Sequence, residues 1–408
     1  MSTFDFENFN YEQVKEEVKN SIKKPNILLC GATGVGKSSL VNDLFELDTT
    51  ANDAAVIGNN GRPETRGVKR FTTDASTVNL YDSEGYEVGK VDLSHEDRYY
   101  QEIISYIDKL RNENPGVMEN HIHEVWYCVS AGNKRFFDID KKIIETVQKK
   151  NVPVMVLVTK VDDVDEDELN QLIYEIRRAV PAVNIYTYST MIDSSDEEIY
   201  KKYVQRSEII KWAIDHLDES LQLGLLPAVK GCLQEKRETI IKVCVPNHVG
   251  MAVIAVVGSS FVPVPFSDSV PLMGIQIKMA MSIFNAFNIN ANVKNVVSDL
   301  VGTTLVSYIG KTVAAQIISW LPGIGSVAKA AVNTTVAASV TAMLGVGITL
   351  IAEKYLLACI EKGGAENLPF AEFLTKERFS DTMTYVKNHK DEFGIDDIVK
   401  SILNKYNK

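Results

Sequence analysis

Residues 31–38 read Gly31-Ala32-Thr33-Gly34-Val35-Gly36-Lys37-Ser38, after the apolar run Asn26–Cys30 and before the apolar segment Leu40–Leu47. In the spacing G-x-x-x-x-G-K-[ST], glycines let consecutive backbone N–H groups turn inward, and a helix starting near Lys37 directs its positive end to the same point. The stretch is therefore expected to cradle a chain of phosphates between a strand and a helix. Thr33, Gly34, Val35 and Gly36 form the loop, Lys37 neutralises the β- and γ-phosphates, and Ser38, followed by Ser39, holds Mg2+ through its hydroxyl.

Outward from this loop, short apolar runs at Asn26–Cys30, Thr77–Tyr81, Ile122–Val129, Val152–Thr159 and Val183–Tyr188 read as strands. Helical segments fall at 37–47, 94–112, 136–150, 164–179 and 195–219. Near-continuous apolar strands alternating with helices predict a mostly parallel sheet with helices on both faces, an α/β P-loop NTPase fold over residues 25–220. Residues 1–24 are polar, with Tyr11, Val14, Val18 and Ile22 at helical spacing, and read as a lead-in helix. Composition changes after residue 220. Residues 243–352 carry only six charges, Asp268, Lys278, Lys294, Asp299, Lys311 and Lys329, and the tail 366–408 returns to an amphipathic pattern. Long apolar tracts without alternation predict an all-α domain over 221–408.

Three later strand ends carry residues that suit a nucleotide. Thr159-Lys160-Val161-Asp162 closes the run Val152–Val158. A carboxylate there accepts from the ring N1–H and exocyclic amine of guanine, which adenine does not offer, while the Lys160 stem covers the ring. Ser189-Thr190 ends the next run and is placed to give a backbone N–H to the guanine oxygen. Asp82-Ser83-Glu84-Gly85 follows Thr77–Tyr81; Asp82 suits the Mg2+ shell, and the Gly85 N–H suits the γ-phosphate. The polar stretch 48–70 contains Thr65, the switch threonine expected to close on Mg2+ only with γ-phosphate present, with Thr72 and Thr73 as rivals. The catalytic set is then Lys37, Thr65 and Gly85, acting by positioning and charge stabilisation with no covalent intermediate.

The 408 residues are 45% hydrophobic and 24% charged, an ordinary globular composition that excludes a disordered or fibrous chain. The formal charge is −11, and residues 1–220 hold the acidic surplus, since 221–408 carry 17 basic against 14 acidic residues. That balance argues against nucleic acid as a partner. Five scattered cysteines read as reduced core thiols, and the N-terminal MSTFDFENFNYEQVKEE lacks an apolar signal core, so a cytoplasmic protein is expected. Residues 243–267 and 330–352 are uncharged and long enough to span a bilayer. The first is broken by Pro246, Pro263 and Pro265, and the second holds Asn333, Thr334, Thr335, Ser339, Thr341 and Thr349. A buried bundle is the favoured reading, with conditional engagement of a membrane surface or protein effector through 243–352. His121 and His123 share one strand face without an evident third ligand, so no metal beyond Mg2+ is expected.

Taken in order, GATGVGKSS, Thr65, DSEG and TKVD resemble the motif set of translation-factor-class small GTPases over about residues 25–220. The loop and TKVD are particularly similar to immunity-related (interferon-inducible) GTPases and to bacterial Era-like relatives. Pro263-Val264-Pro265-Phe266-Ser267-Asp268 with Gln276-Ile277-Lys278-Met279 resembles a helical module of unassigned function that follows bacterial GTPase domains. The resemblance implies GTP hydrolysis to GDP and phosphate, as a switch or mechanoenzyme. Two departures matter. Tyr86 stands where a water-orienting Gln commonly follows the DxxG glycine, and Gly34 stands where potassium-activated members carry Asn. Slow intrinsic hydrolysis is expected, accelerated by a partner, self-association or an unrecognised group; Arg62, Arg66 and Arg70 are candidate charge stabilisers, with solvated surface arginines the favoured reading. A guanine-nucleotide-binding module that hardly turns over and an ATP-using P-loop kinase are the alternatives.

Overall fold

The computed structural model describes residues 9–46, 67–70, 72–73, 76–86, 93–192, 201–257, 270–289 and 329–406. Its contacts divide the chain into two units, Lys23–Cys232 and Met1–Ile22 with Leu233–Lys408.

The first unit is built on β1 (Asn26–Cys30), β2 (Val68–Arg70), β3 (Asn79–Ser83), β4 (Glu124–Ser130), β5 (Val154–Thr159) and β6 (Asn184–Thr187), in the order β2-β3-β1-β4-β5-β6. Every pair is parallel except β2 with β3. Every residue of β1, β4 and β5 is buried, so both faces of the sheet centre are covered. Chain order reverses at β1, whose neighbours are β3 and β4; ligands of open parallel sheets bind at the carboxyl ends beside such a point. The phosphate loop leaves β1 there.

Two features depart from the sequence pattern. β2 is a three-residue antiparallel edge strand, half-buried to exposed and registered Lys69 to Asp82. β3 runs through Asp82 and Ser83 rather than stopping at Tyr81. The unit also extends past residue 220. Phe45 bridges Val229, Glu46 N–H donates to the Ala228 carbonyl at 2.7 Å, and Lys230 N–H donates to the Leu44 carbonyl at 2.9 Å. This return ties the segment after α6 (Arg206–His216) and α7 (Glu219–Leu225) to the end of the helix that follows the phosphate loop.

Glu124 opens β4 fully buried. Its Oε2 accepts from Trp126 Nε1 at 2.9 Å, and its Oε1 has no hydrogen-bond partner among the described residues. Desolvation pushes its carboxyl from 4.5 up to about 8, opposed by the Trp126 bond. The folded protein thus binds a proton here that the unfolded chain releases near pH 4.5. The associated stability is complete below pH 4.5 and is lost as pH rises through 8. Glu124→Gln should therefore remove an acid-favoured contribution of a few kcal/mol. Urea unfolding from about pH 5 to about pH 8 should show the parent losing stability relative to the variant, and parallel profiles would refute a neutral Glu124.

In the second unit α1 (Tyr11–Ser21), expected as a lead-in to the sheet, makes its contacts with α10 (Val270–Ala286), where Lys278 Nζ donates to Glu17 Oε2 at 3.1 Å. The core lies among α9 (Val245–Val257), α10 and the 33-residue α11 (Lys329–Glu361). α8 (Leu233–Thr239) continues through a π-helical turn, Ile240–Cys244, into α9, and α12 (Phe370–Phe373), α13 (Lys376–Asn388) and α14 (Ile395–Tyr406) complete the unit. A side chain at Gly345 would meet Val245 Cγ2 at 2.7 Å, so small residues let these helices approach closely. Of the span Thr334–Glu361, long and apolar enough to cross a membrane, 83% of the apolar window is buried within the protein; for Leu233–Val257 the figure is 50%. Burial on that scale explains why the described part of 330–352 is uncharged.

Candidate functional site

The phosphate loop is set by β1 below it and α2 (Lys37–Leu44) above it. Gly36 caps α2 in a left-handed conformation with no side chain bonded to the helix start, so the first N–H groups stay directed at the loop. Gly31, at φ +129°, lies so close to β4 that a Cβ would come within 2.1 Å of the Cys128 carbonyl oxygen; no other residue fits. Tyr99, from α3 (Leu93–Glu113), pins the same glycine, accepting from its N–H at 2.7 Å and donating to its carbonyl at 3.2 Å.

Lys37 is buried, and its Nζ donates to the carbonyls of Gly31 at 3.0 Å and Ala32 at 3.2 Å, arching over the loop. Asp82 Oδ1 stands 4.0 Å from that ammonium. It is buried with no hydrogen-bond partner among the described residues. Burial raises the Asp82 pKa, opposed by the Lys37 charge and by the Ser83 backbone. An orphaned carboxylate oxygen, with the half-buried Ser38 on the first turn of α2, is a donor set that fits a hard divalent cation such as Mg2+.

Thr159 closes β5 and ties the two halves of the site together: its hydroxyl donates to the Val35 carbonyl at 2.5 Å and lies 3.3 Å from that of Val129. Lys160 has φ +53°, and its stem runs past Gly36. Ser189 donates its hydroxyl to Asp162 Oδ1 and accepts from Met191 N–H at 3.0 Å. Gly36, Ser39, Thr159, Lys160, Asp162, Ser189 and Thr190, all expected from sequence, line one cavity of about 230 Å3, which Leu40, Asp163, Tyr188 and Met191 complete.

Three expectations fare differently. Thr33 N–H, counted among the loop donors, is taken by the Tyr86 carbonyl at 2.9 Å, and its Oγ1 is buried without a partner among the described residues. Gly85 sits against it at φ +74°, where a Cβ would lie 2.8 Å from Thr33 N. Thr65, with Arg62 and Arg66, lies outside the described residues. Its rival Thr72 is buried, and its hydroxyl accepts from Leu80 N–H at 3.1 Å and Arg70 Nε at 3.4 Å, which commits it to the β2–β3 hairpin. His121 and His123 do not share a strand face, since both precede β4, and they bind backbone: His121 Nε2 pairs with the Asn114 carbonyl at 3.0 Å, and His123 Nδ1 accepts from Asn26 N–H at 2.8 Å.

Tyr99 and Tyr188 belong to the site although sequence reasoning does not select them. No motif marks Tyr99, which reaches the loop from a distant helix turn. Tyr188 directly precedes Ser189-Thr190, and that adjacency is the one signal that could have found it.

Residues 23–222 match the family model described as Septin. The chain is 25% identical over 185 residues to Septin-8 of Xenopus tropicalis, covering 42% of each protein, so it spans less than half the length of that relative. It is 26% identical over 171 residues to a probable GTP-binding protein EngB of Ligilactobacillus salivarius, covering 42% of this chain and 79% of that one. An Aquifex aeolicus Era crystal structure overlaps 62% of this chain and 76% of its own at 17% identity and a TM-score of 0.32, too loosely to inform the site. With sheet order, phosphate loop and family match in agreement, Lys23–Cys232 is a P-loop GTPase domain similar to that of septins.

Proposed function

We propose that this protein binds GTP and GDP with Mg2+ and hydrolyses GTP to GDP and phosphate at a slow intrinsic rate. The observation that carries this reading is the cavity joining the phosphate-loop residues Gly36 and Ser39 to Asp162 and Ser189. Lys37 and the N–H groups at the start of α2 hold the triphosphate, Ser38 and Asp82 hold the cation, and Asp162 accepts from the guanine edge. The bound cation supplies neutralisation of phosphate charge; the chain's own part is to orient phosphate and exclude misaligned water. Slow turnover follows from residue 86, whose side chain is directed into the core rather than toward the cradle.

Within the GTPases, GATGVGKSS and TKVD support an Era-like or immunity-related placement, while the family match is to septins. The helical unit is proposed to act as a water-soluble bundle that reports nucleotide state to an effector, a second copy or a membrane surface. Heavy burial of Thr334–Glu361 favours the bundle over permanent insertion.

Single-turnover phosphate release with protein in excess over GTP separates hydrolysis from mere binding. Slow, Mg2+-dependent release is expected. Tight GTP binding with no release above the protein-free control would leave a sensing module, and preference for ATP would favour the kinase reading. Liposome flotation with GDP, a GTP analogue and no nucleotide tests the membrane surface.

A further inference from the structure

We propose that Asp140, on the first turn of α4 (Asp138–Lys149), is a positioning residue for hydrolysis: through Tyr86 it clamps the Gly85 turn onto the phosphate loop. This inference rests on the GTPase reading above and adds how its site is held.

The turn after β3 is gripped from two sides. On one, the Tyr86 carbonyl accepts from Thr33 N–H at 2.9 Å, with Gly85 packed too closely on Thr33 to admit a side chain. On the other, the buried Tyr86 ring extends away from the loop and its hydroxyl donates to Asp140 Oδ1 at 2.6 Å. Its ring centroid is 5.3 Å from that of Tyr99, the residue that pins Gly31, and 6.3 Å edge-on from Phe137. Asp140 is 2% exposed and answers three donors: Tyr86, Tyr127 of β4 at 2.6 Å to the same oxygen, and Phe137 N–H at 2.9 Å to Oδ2. A buried acid with three donors is a rigid anchor, since breaking any bond leaves a polar group without water.

The consequence concerns residue 86. Its side chain is committed to α4, so it orients no water while the tie holds. The tie sets where the Gly85 N–H lies relative to the cradle, and backbone positioning of that kind governs rate more than affinity. A glutamine at 86 is too short to span the ring's reach to Asp140. Although glutamine is the side chain that usually orients water, Tyr86→Gln should slow the reaction by releasing the turn.

The test measures single-turnover GTP hydrolysis at saturating protein, and GDP affinity, for the full-length parent, Tyr86→Gln, Tyr86→Phe, Asp140→Asn and the Phe/Asn double variant. Tyr86→Gln, which loses the ring packing as well as the hydroxyl bond, should lose about tenfold or more in rate, while GDP affinity shifts by less than about threefold. Tyr86→Phe preserves the ring packing and should fold; it and Asp140→Asn should each slow hydrolysis by several-fold, and the double variant should be no slower than the worse single one. A general loss of folding would lower affinity and rate together, which the split between them excludes. A Tyr86→Gln protein as fast as the parent, or Phe and Asn effects that multiply, would overturn the proposal. A parent that neither binds nor hydrolyses GTP would instead sink the GTPase reading.

Discussion

Lys37→Ala should reduce single-turnover GTP hydrolysis by at least about 100-fold, the scale of losing one preorganised charge-stabilising donor from a water-poor site. Lys37 is the only ammonium bridging the loop carbonyls of Gly31 and Ala32 among the described residues, and Asp82 is the acid that faces it. Removing it takes positive charge from the phosphate loop and leaves the half-buried Asp82 without its compensating cation. Both changes disfavour a polyanion. GTP affinity should fall as well, because on the proposed reading the ammonium meets phosphate in the ground state and more strongly in the transition state. Phosphate release by the variant within about threefold of the parent would show that whatever turnover occurs does not use this cradle.

Asp162→Asn should exchange base specificity rather than abolish binding. On the proposed reading the carboxylate accepts two N–H groups from guanine; asparagine replaces one acceptor with a donor, which suits the oxygen that xanthine carries in place of the exocyclic amine. A hydrogen bond to a charged group is worth about 1.5–3 kcal/mol, so GTP affinity should drop by about 10- to 100-fold while XTP affinity rises. The Ser189 hydroxyl donates to Asp162 Oδ1 and should hold the amide oxygen of the substituted side chain in the same place, which keeps the change local. Competition titrations with GTP and XTP read the switch directly. An unchanged ratio would remove Asp162 as the base reader.

The central strands are legible because their side chains are all buried, and β6, mostly exposed or half-buried, still reads within one residue of each end. β1, β4 and β5 read as unbroken apolar runs because both faces are covered, and their expected boundaries lie within about two residues of the observed ones. β2 is not legible: Val68-Lys69-Arg70 is a short edge strand without alternation, and its pairing with Asp82 depends on a hairpin partner that local pattern does not reveal. β3 reads two residues too early, because Asp82 and Ser83 look like a turn although both belong to the strand. The return of residues 228–230 to Leu44–Glu46 is a backbone pairing and carries almost no compositional signal.

The cradle is legible for a different reason. The roles proposed for Gly31, Gly36, Lys37 and Asp162 need only backbone freedom or a single charge, so residue type and spacing suffice to mark them. The supports around them are not. Tyr99 and Asp140 act from α3 and α4 through hydroxyl and carboxylate contacts across long sequence separations, 68 residues between Gly31 and Tyr99 and 54 between Tyr86 and Asp140. The sequence marks Tyr86 only as a departure; the fold shows what it binds instead.

The central claim is that the cavity between Gly36, Ser39 and Asp162, together with the adjoining phosphate loop, holds a guanine nucleotide. Calorimetric titration of the full-length protein with GDP in magnesium buffer, against ADP as control, tests it most directly. The account predicts stoichiometric GDP binding that ADP does not reproduce at comparable concentration; equal affinity for the two, or no heat with either, would contradict it.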